Sequence, residues 1–369
     1  MNKTNIFKHL TVSIILVFLY TAAVMAQTTG GRYEMVDLTR AAEESVNAVV
    51  YIKTEFMQKN SAWDDFFGGT IWENLFGSAP SLYPVQAAGS GVIVSADGYI
   101  ITNNHVVEDA VRATITLNDK REYQGTIVGT DPVSDLALIK IEEKGLPYLE
   151  FANSDSVKIG QWVLAVGNPM NLTSTVTAGI ISAKSRLLNT TTGRTKTEET
   201  YLQTDAAVNS GNSGGALVNA SGKLIGVNTA IASGNGYYTG YSFAIPSNIV
   251  KKVYEDLKKY GKVQSAFLGV SIAELNASLA KEYGLDDVRG IYIADVDTEG
   301  AAAKNDFQEG DVIVEICGLP TNSLAEVRNV LKTKSPGDVV SVTLIRNHEK
   351  KHRNVTLLNS EGTTEIIGN

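Results

Sequence analysis

Between Gly89 and Pro246 the chain alternates short apolar runs with turn residues, and this alternation restricts its fold more than any other feature. GSGVIVS, YIITNNHVV, VRATITL, REYQGTIVG, LALIKI, WVLAVG, STVTAGIISA, TYLQT, GGALVN, KLIGVNTA and YSFAI follow one another. Ala96-Asp97-Gly98, Asn118-Asp119 and similar breaks stand between them. Many short strands in series bury their apolar faces only by closing into barrels or stacking as a sandwich, so the chain is read as mainly β. Asp97-Gly98, set between two apolar runs, predicts a tight hairpin whose two central residues both take positive φ.

The strand region ends at IPSNIVKKVYEDLKKYGK. Ser247 is placed to cap a helix there, Ile249, Val250, Val253, Tyr254 and Leu257 share one face, and Gly261 stops it. Upstream, DLTRAAEESV reads as a short helix and AVVYIKTEF as the first strand. A smaller α+β unit follows, with strands at FLGVSIAEL, GIYIADV, DVIVEICG and VVSVTLIR. Its helix, SLAEVRNVLKTK, opens on a capping box of Ser323 and Glu326 and turns Leu324, Val327, Val330 and Leu331 to one side.

At 369 residues the chain has room for two such domains. Its start reads as an export signal: Lys3 and Lys8 precede an apolar run that ends at Val24 and Ala26, ahead of Gln27. Residues 1–26 are therefore expected to be a cleaved signal peptide, with an uncleaved anchor as the alternative. The domains are expected at 27–262 and 263–358, with a tail at 359–369. Residues 57–88 are expected to form a long insertion carrying Trp63, Phe66, Phe67, Trp72 and Phe76, and loops of this length are usually functional or mobile.

Export permits disulfides, yet Cys317 is the sole cysteine, so stability must come from packing. The net charge of −8, with no cluster of Lys and Arg, argues against a nucleic-acid partner.

The chemistry is narrowed by scarcity. Of four histidines, His9 lies in the signal and His348 and His352 near the end, which leaves His105 alone in the β domain. No imidazole cluster or thiolate pair is available there for a zinc site, and nothing calls for a cofactor. The stretch AVNSGNSGGALVN crowds glycines around Ser213. Such glycines let a backbone approach a ligand closely and turn N–H groups toward it. A plain turn or a phosphate cradle would look similar, but no Lys-Ser/Thr and no helical pattern follow the glycines. A serine hydroxyl needs a base to become a nucleophile, His105 is the one within the domain, and an imidazole base needs a carboxylate. Asp131, Asp135 and Asp205 are candidates. Asp135, opening the apolar run LALIKI, is the one most strongly driven inward.

Three blocks, GSGVIVSADGYIITNNHVV, DPVSDLALIKI and QTDAAVNSGNSGGALVN, resemble the HtrA (Deg) family of exported serine proteases. The likeness extends through GYSFAIPSNIV, FLGV and FQEGDVIVEICGLPTNS. It implies a chymotrypsin-like double β-barrel followed by a PDZ domain. It also implies peptide hydrolysis through an acyl-enzyme, with Ser213 as nucleophile, His105 as general base and acid, and Asp135 as the orienting carboxylate. Gly211 and Ser213 would supply the oxyanion-hole N–H groups, with Asn212 shaping the loop. Thr229, Ala230 and Ile231 would pair with an extended substrate, and Phe267, Leu268, Gly269 and Val270 would form a carboxylate-binding loop for apolar C-terminal peptides. Implied in the same way are misfolded periplasmic or envelope proteins as substrates, assembly as a homo-trimer or its multiples, and a subunit-contact or regulatory role for the aromatic insertion. The other reading is a peptide-binding chaperone with little turnover. The sequence departs from the family at Asn305-Asp306-Phe307, where Ala-Gly-Leu is usual.

Overall fold

The computed structural model describes residues 36–56, 85–169, 174–192, 195–209, 211–231, 240–282 and 289–368. Residues 1–37 form a unit of their own, and the description below is of Leu38 onward. The expected signal peptide at 1–26, the aromatics Trp63, Phe66, Phe67, Trp72 and Phe76, and Ser210 lie outside the described residues.

The serial short strands close into two barrels. The first is built from β1 (Val49–Phe56), β2 (Val85–Ile93), β3 (Tyr99–Thr102), β4 (Arg112–Thr116), β5 (Glu122–Asp131) and β6 (Leu136–Lys140), in the order β1-β2-β3-β6-β5-β4. The second comprises β7 (Trp162–Gly167), β8 (Thr175–Thr192), β9 (Thr195–Thr204), β10 (Ala216–Asn219), β11 (Leu224–Ile231) and β12 (Ser242–Pro246), in the order β10-β11-β12-β9-β8-β7. Closure gives every strand of each barrel a neighbour on both sides along part of its length. Each barrel has its own apolar centre, Ile52, Ile100, Ile115 and Ile139 in the first, Val163, Ile181, Leu217 and Ile225 in the second.

A third buried cluster joins them. Val49, Ile101, Leu136 and Leu138 from the first barrel meet Leu164, Val166, Ala216 and Val227 from the second. Helices α1 (Thr39–Val46) and α3 (Ser247–Tyr260) contribute to the same seam through Ala41, Ile249, Val250, Val253 and Leu257. Between them in the chain, α2 (Asn104–Val107) is a single turn after β3. Helix α3 ends as predicted, Gly261 taking φ 73 and its N–H bonding Leu257 O. Its start differs: Ser247 is the first helical residue, and its hydroxyl donates to Ala152 O at 2.7 Å instead of capping, which ties the helix to the barrel.

The small domain is a sheet of order β13-β14-β15-β17-β18, with β13 at Val270–Glu274, β14 at Ile291–Val296, β15 at Val312–Ile316, β17 at Val339–Arg346 and β18 at Glu349–Thr356. The short β16 (Leu319–Pro320) pairs with β15, and helices α4 (Ala277–Glu282) and α5 (Leu324–Lys332) complete it. Ser323 caps α5 through Glu326 N–H at 3.2 Å, but the Glu326 carboxylate reaches back to Asn322 N–H, one residue beyond the predicted box. Asp306, standing where glycine is usual, keeps the left-handed turn at φ 57. Hydrogen bonding from Arg353, with the charge of Arg346 beside it, pins its carboxylate and holds it below the ordinary carboxylate range.

The Asp97-Gly98 turn forms between β2 and β3, with Gly98 N–H bonding Ser95 O at 3.2 Å. Only Gly98 takes positive φ, at 92, because the loop from Ser95 to Gly98 is wide enough to reverse the chain with one left-handed residue. A Cβ at Gly98 would overlap the Ile141 carbonyl oxygen. Gly98→Ala is therefore expected to lower stability by at least about 1 kcal/mol. Urea denaturation of the full chain measures it, and an unchanged midpoint would contradict the assignment.

Candidate active site

The seam between the barrels gathers the residues singled out by sequence. Asp135 sits one residue ahead of β6, 3% exposed, with φ 54, a left-handed backbone that aspartate tolerates better than most residues. The turn before it is closed by Asp131, whose carboxylate accepts the N–H groups of Val133 at 3.4 Å and Ser134 at 3.2 Å. The Asp135 carbonyl is held by Asn104 N–H at 3.1 Å and by Asn103 Nδ2 at 2.9 Å.

His105 is expected directly after the strand in YIITNNHVV; β3 stops at Thr102, and His105 follows it in the helical turn α2. The cause is Asp135, which takes the N–H of Asn104 on its carbonyl and the N–H of His105 on its Oδ1 at 3.0 Å, so neither can join the ladder. The imidazole is thereby laid along the carboxylate, Nδ1 lying 2.8 Å from Oδ2 and 3.0 Å from Oδ1. A carboxylate on Nδ1 selects the tautomer that leaves Nε2 as an acceptor.

The second barrel supplies the other half. Strand β11 carries a bulge between Asn228 and Ala230, where its register with β12 slips by one residue. The extra residue is Thr229, and its Oγ1 donates to Asp135 Oδ2 at 2.8 Å. The carbonyl of the same residue accepts the Ser213 hydroxyl at 3.1 Å. His105, Asp135, Thr229 and Ser213 thus form one continuous buried chain of hydrogen bonds. The other candidate aspartates serve elsewhere: Asp131 shapes its turn, and Asp205 Oδ1 accepts the Ile180 N–H at 2.7 Å.

The glycines around Ser213 do conformational work. Gly211 and Gly214 take φ of 95 and 83, and a Cβ at Gly214 would overlap Ser90 O and Thr102 Oγ1. Asn212 spends its N–H on Asn209 O at 3.0 Å, which closes the turn. Its carbonyl accepts the Gly215 N–H at 2.9 Å, so in the trans peptide that follows, the Ser213 N–H points the opposite way. Among the described residues no backbone carbonyl takes the N–H of Gly211 or of Ser213.

Thr229, Ala230 and Ile231 form the end of β11. Pairing of this strand with β10 reaches only to Val227, which leaves the β10-facing side of residues 229–231 without a strand partner among the described residues. In the small domain, Leu268 is buried, Gly269 takes φ 77 and Phe267 is 48% exposed. Leu268 O and Gly269 O are held by the N–H groups of Ala302 and Asp297. Val270 then opens β13, an edge strand. The contact of Leu324 N–H with Glu274 Oε1 at 3.4 Å sets the head of α5 alongside that edge.

Comparison with known proteins agrees with this fold. Residues 89–227 match the trypsin-like peptidase domain and residues 266–357 the PDZ domain. A probable periplasmic serine endoprotease, DegP-like, of Ectopseudomonas mendocina is 37% identical over 355 residues, covering 92% of this chain and 74% of the relative. The chain belongs to the HtrA family of DegP-like serine proteases. A DegP-like relative from Chlamydia pneumoniae is 42% identical over 290 residues, which is 76% of this chain but 58% of the relative's own length. The chain thus spans less than two thirds of some of the HtrA relatives it matches. Among solved structures, the HtrA-type protease AlgW with a tripeptide superposes with a TM-score of 0.64 at 35% identity, covering 87% of this chain and 97% of that one.

The side chain of Thr229 was not foreseen as part of the site. Its one sequence signal is a polar, β-branched residue inside the apolar run KLIGVNTAI. Removing its hydroxyl leaves the buried Asp135 Oδ2 short of a donor. Thr229→Val is expected to cost about 1–3 kcal/mol in urea denaturation, and Thr229→Ser much less. Equal effects of the two would show that the hydroxyl is unimportant.

Proposed function

We propose that this chain is a periplasmic serine endopeptidase that hydrolyses unfolded or misfolded polypeptides through an acyl-enzyme. The observation that carries the reading is the shared Asp135 carboxylate, which holds His105 Nδ1 on one side and the Thr229 hydroxyl, beside Ser213, on the other.

In this reading an extended substrate lies along residues 229–231 and pairs by strand addition. Its backbone N–H claims the Thr229 carbonyl, which accepts the Ser213 hydroxyl at rest. The displaced hydroxyl turns to His105 Nε2, which removes its proton as Oγ attacks the scissile carbonyl carbon. Asp135 stabilises the imidazolium that forms and keeps the ring in place. Negative charge grows on the former carbonyl oxygen, and the N–H groups of Gly211 and Ser213 receive it. His105 then passes the proton to the leaving amine, and a water molecule, activated by the same imidazole, releases the acyl group.

The small domain adds regulation. A peptide ending in an apolar residue joins the edge of β13, its carboxylate received by the loop Phe267 to Val270. The HtrA-type protease AlgW has been solved with a decapeptide and with a tripeptide, which supports a peptide-binding role here. Assembly as a homo-trimer or a multiple of trimers is part of the proposal and is supported by the family resemblance alone.

Hydrolysis of a fluorescently labelled, reduced and alkylated protein tests the reading. Wild type is expected to cleave it, faster when a peptide with an apolar C-terminus is added, and Ser213→Ala to lose roughly 10⁴-fold or more of the rate. Equal rates for the two would overturn the assignment, and a folded wild type that only binds the substrate would favour the chaperone reading.

A further inference from the structure

Ser90 lies on β2 in the first barrel, fully buried between Gly89 and Gly91. It reaches the Ser213 loop of the second barrel through both side chain and backbone. Its hydroxyl donates to Gly211 O at 2.6 Å and accepts the N–H of Asn168 at 2.8 Å. Its own N–H donates to Ser213 O at 2.8 Å, and its carbonyl is fixed in turn by Thr102 Oγ1 at 2.7 Å. Among the described residues the amide oxygens Asn168 Oδ1 and Asn212 Oδ1 are buried with no hydrogen-bond partner.

Consecutive peptide units make this arrangement consequential. Ser90 Oγ fixes the plane of the Gly211–Asn212 peptide, and Ser90 N–H fixes that of the Ser213–Gly214 peptide. The peptide between them, Asn212–Ser213, carries the Ser213 N–H. That donor is therefore bracketed on both sides by one residue of the opposite barrel. Asn168 stands at the end of β7, so the same hydroxyl also ties the nucleophile loop to a second segment of its own barrel.

We propose that Ser90 is a positioning residue for the reaction, whose hydroxyl aims the oxyanion-binding N–H of Ser213 by holding Gly211 O against Asn168 N–H. The inference rests on the proposed role of Gly211 and Ser213 as oxyanion donors. Losing the hydroxyl leaves Gly211 O and Asn168 N–H without it and lets the donor peptide tilt. A donor that is present but misdirected costs transition-state binding while leaving ground-state binding intact.

The test uses the full chain as wild type, Ser90→Ala, Ser90→Cys and Ser90→Thr. The concentration of competent enzyme is first counted by titration with a fluorophosphonate, so that loss of folded protein is separated from loss of chemistry. The kcat and KM are then measured on the labelled unfolded protein, together with the Ki of a peptide boronic acid, whose serine adduct is tetrahedral. Ser90→Ala and Ser90→Cys are expected to lower kcat per titrated site by roughly 10- to 100-fold. KM should change little, and the boronate should weaken by the same factor as kcat. The cysteine keeps the shape but is a poor hydrogen-bonding partner, so it reads the effect should the alanine variant fail to fold. Ser90→Thr keeps the hydroxyl and should retain most of the activity. A wild-type kcat per site in Ser90→Cys, boronate affinity that does not follow kcat, or a Ser90→Thr as impaired as Ser90→Ala would overturn the proposal. A wild type that hydrolyses nothing would instead remove the function on which it rests.

Discussion

The bond from Thr229 Oγ1 to the Asp135 carboxylate crosses the seam between the two barrels, and the remaining site geometry is organised around it. A buried carboxylate is costly unless its oxygens are occupied. Here they are met by the backbone and ring nitrogens of His105 from one barrel and by Thr229 from the other. The desolvated charge thus couples the position of the imidazole to that of the strand beside Ser213. Its carbonyl, bonded to Asn103 and Asn104, ends β3 and forms the turn that presents His105.

Neither barrel holds a complete site. The apolar seam of Val49, Leu138, Leu164, Val227 and helix α3 brings the two halves into register, and the polar contacts then fix details that apolar packing cannot specify. Ser90 belongs to this second tier, a first-barrel residue bonded to Gly211 and Ser213 of the second. The glycines at 211 and 214 make room for these contacts by adopting positive φ, and Gly214 also by lacking a Cβ where Ser90 and Thr102 approach.

Much of this was legible in the sequence because the signals were local. Serial short apolar runs announced a β barrel or sandwich, and the scarcity of histidine and cysteine pointed to His105 before any geometry was known. The same locality explains the differences. The helical turn that carries His105 was not read because its N–H is claimed by a residue thirty positions away, and the bulge that turns Thr229 toward Asp135 acts over a separation of 94. Ser247 had the right residue type for a cap, but the Ala152 carbonyl drew its hydroxyl into a tertiary contact instead. Asp306 stands in a turn that favours glycine because Arg346 and Arg353, distant in sequence, meet its carboxylate. In each case a long-range polar partner outweighed the local preference.

The central claim is that one serine, activated across the seam, carries the chemistry. Intact-mass measurement of the full chain after treatment with a fluorophosphonate addresses it directly. The account predicts a single adduct mapped to Ser213, formed rapidly by wild type and slowed by orders of magnitude in His105→Ala and in Asp135→Asn. An adduct on another residue, or labelling of Ser213 at an undiminished rate in both variants, would contradict it.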